Sequence, residues 1–337
     1  MPDKFTPTLN KEEHIFMKIG AIGTSFIMDT ILENMAATEG IDCEAIFSRT
    51  YEKGKVLADK FNIGKIYTSL DDMLKDDDLD WIYVCSPNSV HYEQSKKALL
   101  AGKHVLCEKP FTTTSEELKE LISIAKEKHL YLFEAILPLF HPNYQKIREN
   151  LPLIGNLKMA SGTFCQYSSR YDALLAGNVP NVFNPEYSGG CLMDLNMYNV
   201  YFMVGLFGKP ESVEYHATLF ENGIDTNGIL YMKYPNFMCQ CMGAKDAFCE
   251  NGVQILGDKG YIKVTPSPST CQSVTIVRRK EEDIHFELPE NPWSYEMIGL
   301  VDIVSKNDYE ECYNRLDIAL NVIEVLEEAR KSAGLPF

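Results

Sequence analysis

The stretch Ala101-Gly102-Lys103-His104-Val105-Leu106-Cys107-Glu108-Lys109-Pro110 reads as a turn, a short apolar strand and an abrupt stop. His104 to Cys107 supplies the strand, and Thr112-Thr113-Thr114-Ser115 beyond it opens a helix. Pro110 has no amide hydrogen for a ladder and a fixed φ, so the strand ends there. The residue before a proline is held to extended geometry, which projects Lys109 from the strand's carboxyl end. In open α/β sheets that end is where ligands bind. A surface lysine in an ordinary turn has the same local sequence, so the flanking chain must decide.

Upstream, Met17 to Ile22 is an apolar run that stops at Gly23-Thr24-Ser25-Phe26-Ile27-Met28. Ile27, Ile31, Leu32 and Met35 then recur at helical spacing. Strand, glycine turn and helix in that order make a seat for a dinucleotide pyrophosphate on unpaired helix amides. Aligned on Gly23, however, the G-x-G-x-x-G fingerprint has Ser25 at its second place and Met28 at its third, which weakens the signal. The next strand, Cys43 to Phe47, ends in Ser48-Arg49-Thr50, where an NAD site usually carries a carboxylate for the adenosine ribose. A guanidinium fork suits phosphate oxygens, so NADP(H) is favoured here and NAD(H) stays open. The alternative is an exposed arginine at a helix start.

The pattern then repeats. A helix over Glu52–Phe61, a short strand near Ile66 and an acidic helix over Leu70–Lys75 precede Trp81–Cys85, a continuous apolar strand of the doubly buried kind. It ends in Ser86-Pro87-Asn88, and His91 opens the helix leading to Gly102. Such small polar residues can lie along a nicotinamide nucleotide, although plain turn chemistry selects them too. Thr114-Ser115-Glu116-Glu117 is a capping box for a helix through Lys128, and a strand over Tyr131–Ala135 follows. About six strands alternating with helices predict a doubly wound parallel sheet.

The chain has 337 residues, enough for two domains, which the pattern divides at 17–138 and 139–337. Residues 1–16 are polar and lack an apolar signal core, so they are expected to be a flexible extension. No apolar run is long enough for a membrane span. The net charge of −16 repels phosphate backbones and anionic lipid, which argues against nucleic-acid and membrane partners. The ten cysteines show no CxxC pair, and the nearest cluster, Cys239, Cys241 and Cys249, fits alternating strand residues as well as a zinc site. Reduced thiols in a cytoplasmic protein without a metal site are the expectation.

In the second half, Leu157–Gln166 alternates as a long strand. Tyr187-Ser188-Gly189-Gly190 reads as a flexible turn into a helix over Cys191–Phe207. Asp194 and Tyr198 lie four residues apart on that helix and share a face. Taken by itself, Tyr198 is an ordinary half-buried helix tyrosine, and Asp194 an ordinary helix-start acid. Six further strands are expected at Val213–Phe220, Ile229–Tyr234, Met238–Gly243, Val253–Leu256, Tyr261–Val264 and Ser273–Val277, forming an antiparallel sheet. Ile318–Leu326 reads as a final amphipathic helix.

The Ala101–Pro110 run, Ser86-Pro87-Asn88 with His91, and Ser188-Gly189-Gly190-Cys191-Leu192-Met193-Asp194 resemble the glucose–fructose oxidoreductase/inositol dehydrogenase (Gfo/Idh/MocA) family. Glu134-Ala135 followed by Phe140-His141-Pro142 is similar to its dihydrodiol and xylose dehydrogenase branch, which uses NADP. The resemblance covers about residues 17–335. It implies an N-terminal Rossmann domain and a C-terminal α+β domain with a large, mostly antiparallel sheet. It implies NAD(P)-dependent transfer of a hydride to or from a CH–OH carbon of a sugar, cyclitol or diol. Cofactor contacts would fall on Gly23, Thr24, Ser25, Phe26, Ile27, Ser48, Arg49, Thr50, Ser86, Pro87, Asn88, His91, Glu108, Lys109 and Pro110. The catalytic set would be Lys109, Tyr198 and Asp194, with Tyr198 exchanging the proton and Lys109 lowering the phenol's pKa; lysine itself is the second choice for that exchange.

Asn196 stands where many members have glycine and is expected near substrate, with Glu134 and Tyr167. The family's open sheet face usually packs on another subunit, so a homodimer or larger homo-oligomer is expected. Two relatives of this pattern do other things: some hydrolyse glycosides through a tightly held NAD, and some bind dinucleotide as a non-catalytic signal. Retention of Lys109, Asp194 and Tyr198 argues against the second.

Overall fold

The computed structural model describes residues 17–289 and 291–336; the extension at 1–16 lies outside the described residues. The apolar runs of the first half become β1 (Met17–Ile22), β2 (Ile41–Phe47), β3 (Lys65–Tyr67), β4 (Trp81–Val84), β5 (His104–Glu108) and β6 (Leu132–Ala135). All are parallel and lie in the order β3-β2-β1-β4-β5-β6. The winding therefore reverses between β1 and β4, which opens a crevice at the strands' carboxyl ends. Between the strands run α1 (Phe26–Ala36), α2 (Tyr51–Phe61), α3 (Leu70–Leu74), α4 (His91–Leu100) and α5 (Ser115–Lys128). The capping box of α5 is complete: Thr114 Oγ1 accepts from the Glu117 amide, and Glu117 Oε2 accepts from the Thr114 amide at 3.0 Å. Every residue of β4 is buried, as helices on both faces require.

A short helix, α6 (Pro142–Asn150), leads to the second sheet. Its strands are β7 (Leu157–Cys165), β8 (Ser212–Leu219), β9 (Asp225–Lys233), β10 (Met238–Ala244), β11 (Gly252–Gly257), β12 (Gly260–Thr265), β13 (Ser273–Arg278) and β14 (Ile284–Glu287). The order is β14-β13-β12-β11-β7-β10-β9-β8, and every pairing is antiparallel except β7 with β10. All seven expected strands are present, joined by β14.

Four more α-helices complete the chain: α7 (Tyr171–Leu175), α8 (Met197–Phe207), α9 (Ser294–Ser305) and α10 (Tyr309–Ala333). Helix α8 is buried from Met197 through Val204, sandwiched rather than amphipathic, so it sits in the core between sheet and helices. The chain then returns to the first half. Met297, Leu300, Ile303 and Val304 of α9 are buried in one cluster with Ile19, Met28 and Tyr83. Among the described residues no helix is long and apolar enough to cross a membrane, and no cluster of metal-ligating side chains occurs. All ten cysteines are unpaired.

Candidate active site

The carboxyl ends of β1, β2, β4 and β5 converge on the crevice. Gly23 ends β1 with φ +115°, and its amide donates to Phe47 O at 3.1 Å. A Cβ there would lie 2.2 Å from Cys85 O, so only glycine lets the ends of β1, β2 and β4 meet. Ser25, at the second fingerprint place, is exposed as the N-cap of α1. Met28, at the third, is buried in the core under the helix, so bulk replaces the close packing that glycine would allow. Thr24, Phe26 and Ile27 occupy the turn and first helical positions. At the end of β2, Ser48 is buried with its amide on Tyr67 O, while Arg49 and Thr50 are exposed. A cradle without room for a Cβ, a helix start facing it and a guanidinium at the next strand end fit a phosphorylated dinucleotide.

After β4, Ser86, Pro87 and Asn88 are partly exposed. Ser86 Oγ donates to Gln94 Oε1 at 2.7 Å, and Asn88 Nδ2 donates to Ser188 O at 2.9 Å. His91 opens α4 behind this turn. It is fully buried, with Nδ1 at 2.8 Å from Pro110 O and Nε2 at 2.8 Å from Ser86 O. Each ring nitrogen lies within hydrogen-bond distance of a backbone carbonyl, so this side chain braces the loops after β4 and β5 from beneath. Its burial pushes the imidazole pKa down.

Beyond β5 the Lys109–Pro110 peptide is cis, and Pro110 is buried. Glu108 accepts from the Tyr83 hydroxyl and from the Lys109 amide, and burial raises its pKa. Lys109 Nζ donates to Asp194 Oδ1 at 2.9 Å and to Asp194 O at 3.1 Å, and it lies 5.1 Å from the centre of the Tyr198 ring. Asp194 sits in a π-helical turn, Leu192–Asn196, which opens the helix just before α8. π-turns of this kind frequently occur at functional sites. The second carboxylate oxygen of Asp194 is bound by Lys245 Nζ.

Burial would raise the pKa of Asp194, but the two ammonium groups overcome it and hold the carboxyl far below the usual range. Burial would lower Lys109, yet Asp194, Tyr198 and Glu108 keep it well above the ordinary lysine value. At Tyr198 the balance falls the other way. Lys109 does pull the phenol down, but burial outweighs it, and Glu108 and Asp194 add to the rise, so the pKa is pushed up to about 12. Its ring meets Phe164 edge-on.

Two of the expected substrate contacts are buried. Asn196 is fully buried and faces the second sheet, donating to Cys241 O at 3.1 Å and accepting from Asn199 Nδ2 at 2.9 Å. Glu134 is buried under the site, accepting from the Phe111 amide at 2.9 Å and from the Tyr201 hydroxyl, and burial pushes its pKa up to about 8. Tyr167 stands at the rim, its hydroxyl on Asp172 at 2.6 Å and its ring stacked on Phe248. Ser188, Gly189 and Gly190 are buried rather than loose. A Cβ at Gly189 would meet the Val182 backbone at 2.7 Å, and one at Gly190 would meet Asp225 Oδ1 at 2.0 Å.

Two residues escaped the sequence reading. Lys245 follows β10 as Lys109 follows β5, and that position at a strand's carboxyl end is the signal that could have found it. Asp225 Oδ2 accepts from the Leu192 amide at 2.7 Å and the Tyr215 hydroxyl at 2.7 Å, capping the π-turn from 33 residues away. No local pattern announces that contact.

Residues 17–135 match the Gfo/Idh/MocA oxidoreductase family with its NAD-binding Rossmann fold, and residues 145–263 match the Gfo/Idh/MocA C-terminal domain. The chain is 34% identical to the NADP(+)-dependent scyllo-inositol 2-dehydrogenase of Bacillus subtilis, over 95% of this chain and 98% of that enzyme. It is 28% identical to the trans-1,2-dihydrobenzene-1,2-diol dehydrogenase of Mus musculus, over 94% of this chain and 96% of the other. Among solved structures, a 3-ketoreductase from Actinomadura kijaniata crystallised with NADP and TDP-benzene superposes with a TM-score of 0.80 at 23% identity, covering 94% of this chain and 98% of that one.

Proposed function

Because the chain belongs to the Gfo/Idh/MocA oxidoreductase family, we propose that it is an NADP(H)-dependent dehydrogenase or reductase acting on a CH–OH carbon of a cyclitol, sugar or diol. The carrying observation is Lys109 at the end of β5, bound to Asp194 and standing over the Tyr198 ring on the crevice side of the first sheet. The enzyme with the highest identity quoted above acts on scyllo-inositol with NADP(+), which supports a cyclitol or a similar polyol. Residues 17–138 are assigned to the dinucleotide and 139–337 to substrate and assembly.

Gly23, Thr24 and the amides at Ser25, Phe26 and Ile27 would hold the pyrophosphate. Arg49, with Ser48 and Thr50 beside it, would take the 2′-phosphate, and Ser86, Pro87 and Asn88 would line the nicotinamide half. When bound, the nicotinamide supplies the hydride acceptor or donor. The protein's task is the proton on the substrate oxygen. A phenol whose pKa is pushed up to about 12 is protonated at neutral pH and is a donor toward a developing alkoxide. The ammonium of Lys109 faces the same oxygen, polarises it and stabilises the phenolate left behind. Asp194 fixes Lys109 in place and does not itself titrate near neutrality.

A second copy of this chain is assigned to the open face of the second sheet. Met238, Met159, Leu256, Tyr261 and Val277 stand side by side across β10, β7, β11, β12 and β13. Of these Met159 is 56% and Met238 44% exposed, a stripe that a partner sheet would cover. Ten unpaired thiols fit a reducing, cytoplasmic setting.

The test is a titration of the purified protein with NADPH and NADH, followed by assay of cyclitols, aldoses and diols. Tight NADPH, weak NADH and turnover that disappears in Lys109→Ala support the reading. Binding of neither nucleotide overturns it.

A further inference from the structure

Lys245 is among the most completely buried side chains of the molecule, 2% exposed, on no element that touches the dinucleotide crevice. Burying an ammonium is costly unless it is paired. The pairing here is Oδ2 of Asp194, and the other neighbour is the Phe183 ring, 5.1 Å from Nζ. The backbone pins the residue as well: the Lys245 amide donates to Thr226 O, and its carbonyl accepts from the Ser168 amide at 2.8 Å. The ammonium is thus aimed at one target, the same carboxylate whose other oxygen holds Lys109.

Resting on the proposed function, we infer that Lys245 is a positioning residue for the reaction: by occupying Oδ2 of Asp194 it fixes the carboxylate and shares its charge, which keeps Lys109 from being locked in a private ion pair. One carboxylate between two ammonium groups leaves the set with a net positive charge. The electrostatic attraction available to Lys109 is therefore smaller than a single Asp–Lys pair would give, and its ammonium is freer to turn to a substrate oxygen or to give up a proton. The groups that act on Lys109 are Asp194, Tyr198 and Glu108. His91, Cys85 and Glu134 feel its charge from the neighbouring elements. Lys245 acts on Asp194 and on Cys191, and only Asp194 is common to both lysines.

The test reads Lys109 directly and needs no substrate. Cyanate carbamoylates only the neutral amine, so the modification rate of the Lys109 peptide at pH 9, followed by mass spectrometry of the full-length protein, reports how tightly its proton is held. Lys245→Met should slow that rate about tenfold, since losing a nearby positive charge raises an amine's pKa by about one unit. Lys245→Arg should restore a rate near that of the wild type. A purely space-filling role predicts the opposite sign, because a loosened site exposes Lys109 and speeds its modification. An unchanged or faster rate in Lys245→Met therefore overturns the inference. Should that variant fail to fold, Lys245→Gln, neutral but still able to donate to Asp194, carries the same expected slowing and the same contrary outcome. Loss of dehydrogenase activity is not the readout, so the result stands apart from the proposed reaction.

Discussion

At the scale of single residues, the site is a contest between burial and charge, and the winner differs at each group. Two ammonium groups defeat burial at Asp194, whereas one fails to defeat it at Tyr198. Arg49 is the one exposed charge of the strand-end set and the one whose proposed task is recognition. Arg49→Ala should weaken NADPH binding on the order of ten- to a hundredfold and leave NADH binding nearly unchanged, as measured by calorimetric titration. Equal losses for both nucleotides would mean that Arg49 does not read a 2′-phosphate.

Glu134 gives a pH prediction. Its folded pKa of about 8 lies above the ordinary 4.5, so the folded chain holds this proton more tightly than the unfolded one. The stabilisation is complete below about pH 4.5 and is lost as pH rises toward 8. Glu134→Gln removes the titration, so its melting temperature should decline less between pH 5 and 8 than that of the wild type. Calorimetric scans that decline in parallel would contradict this.

At the scale of elements, the first sheet was legible because β1 is a short apolar run ended by Gly23, β4 carries no polar interruption, and β5 runs into Lys109-Pro110. The capping box at Thr114 and the break at Pro110 are local chemistry, visible without a fold. Helix α9 was not legible: it follows Pro289 and Pro292, and its buried residues acquire meaning only when they return to the first sheet. Strand β14 is a short edge with alternating partial exposure, too weak a pattern to separate from a loop. The π-turn is the costliest omission. Four-residue spacing put Asp194 and Tyr198 near one another, but it did not show Asn196 on the sheet side or the bond from the Leu192 amide to Asp225. Asp225→Ala would leave the Leu192 amide and the Tyr215 hydroxyl buried without their acceptor. We expect a loss of roughly 2–4 kcal/mol in urea unfolding. A change within experimental error would mean that the π-turn holds itself.

At the scale of the molecule, two sheets of different construction meet along α8, and the site lies where the carboxyl ends of the first face the π-turn that opens α8. The chain carries a net charge of −16, while the crevice retains its own local cations, Lys109 and Arg49. The uncovered stripe on the second sheet sets the expected assembly. Met159→Lys, at the most exposed methionine of the stripe, should convert a homodimer to a monomer in light scattering coupled to size exclusion, without altering the circular dichroism spectrum. A wild-type chain already monomeric at micromolar concentration would rule out that face as an interface.

The central claim is that Lys109 and Tyr198 together handle the proton of an NADP-linked CH–OH reaction. The most direct measurement compares wild type with Tyr198→Phe in NADP(+)-dependent oxidation of scyllo-inositol and related polyols, alongside NADPH affinity for both. The account predicts unchanged NADPH affinity and a fall in kcat of about 10²- to 10⁴-fold. A variant that turns over as fast as the wild type would contradict it.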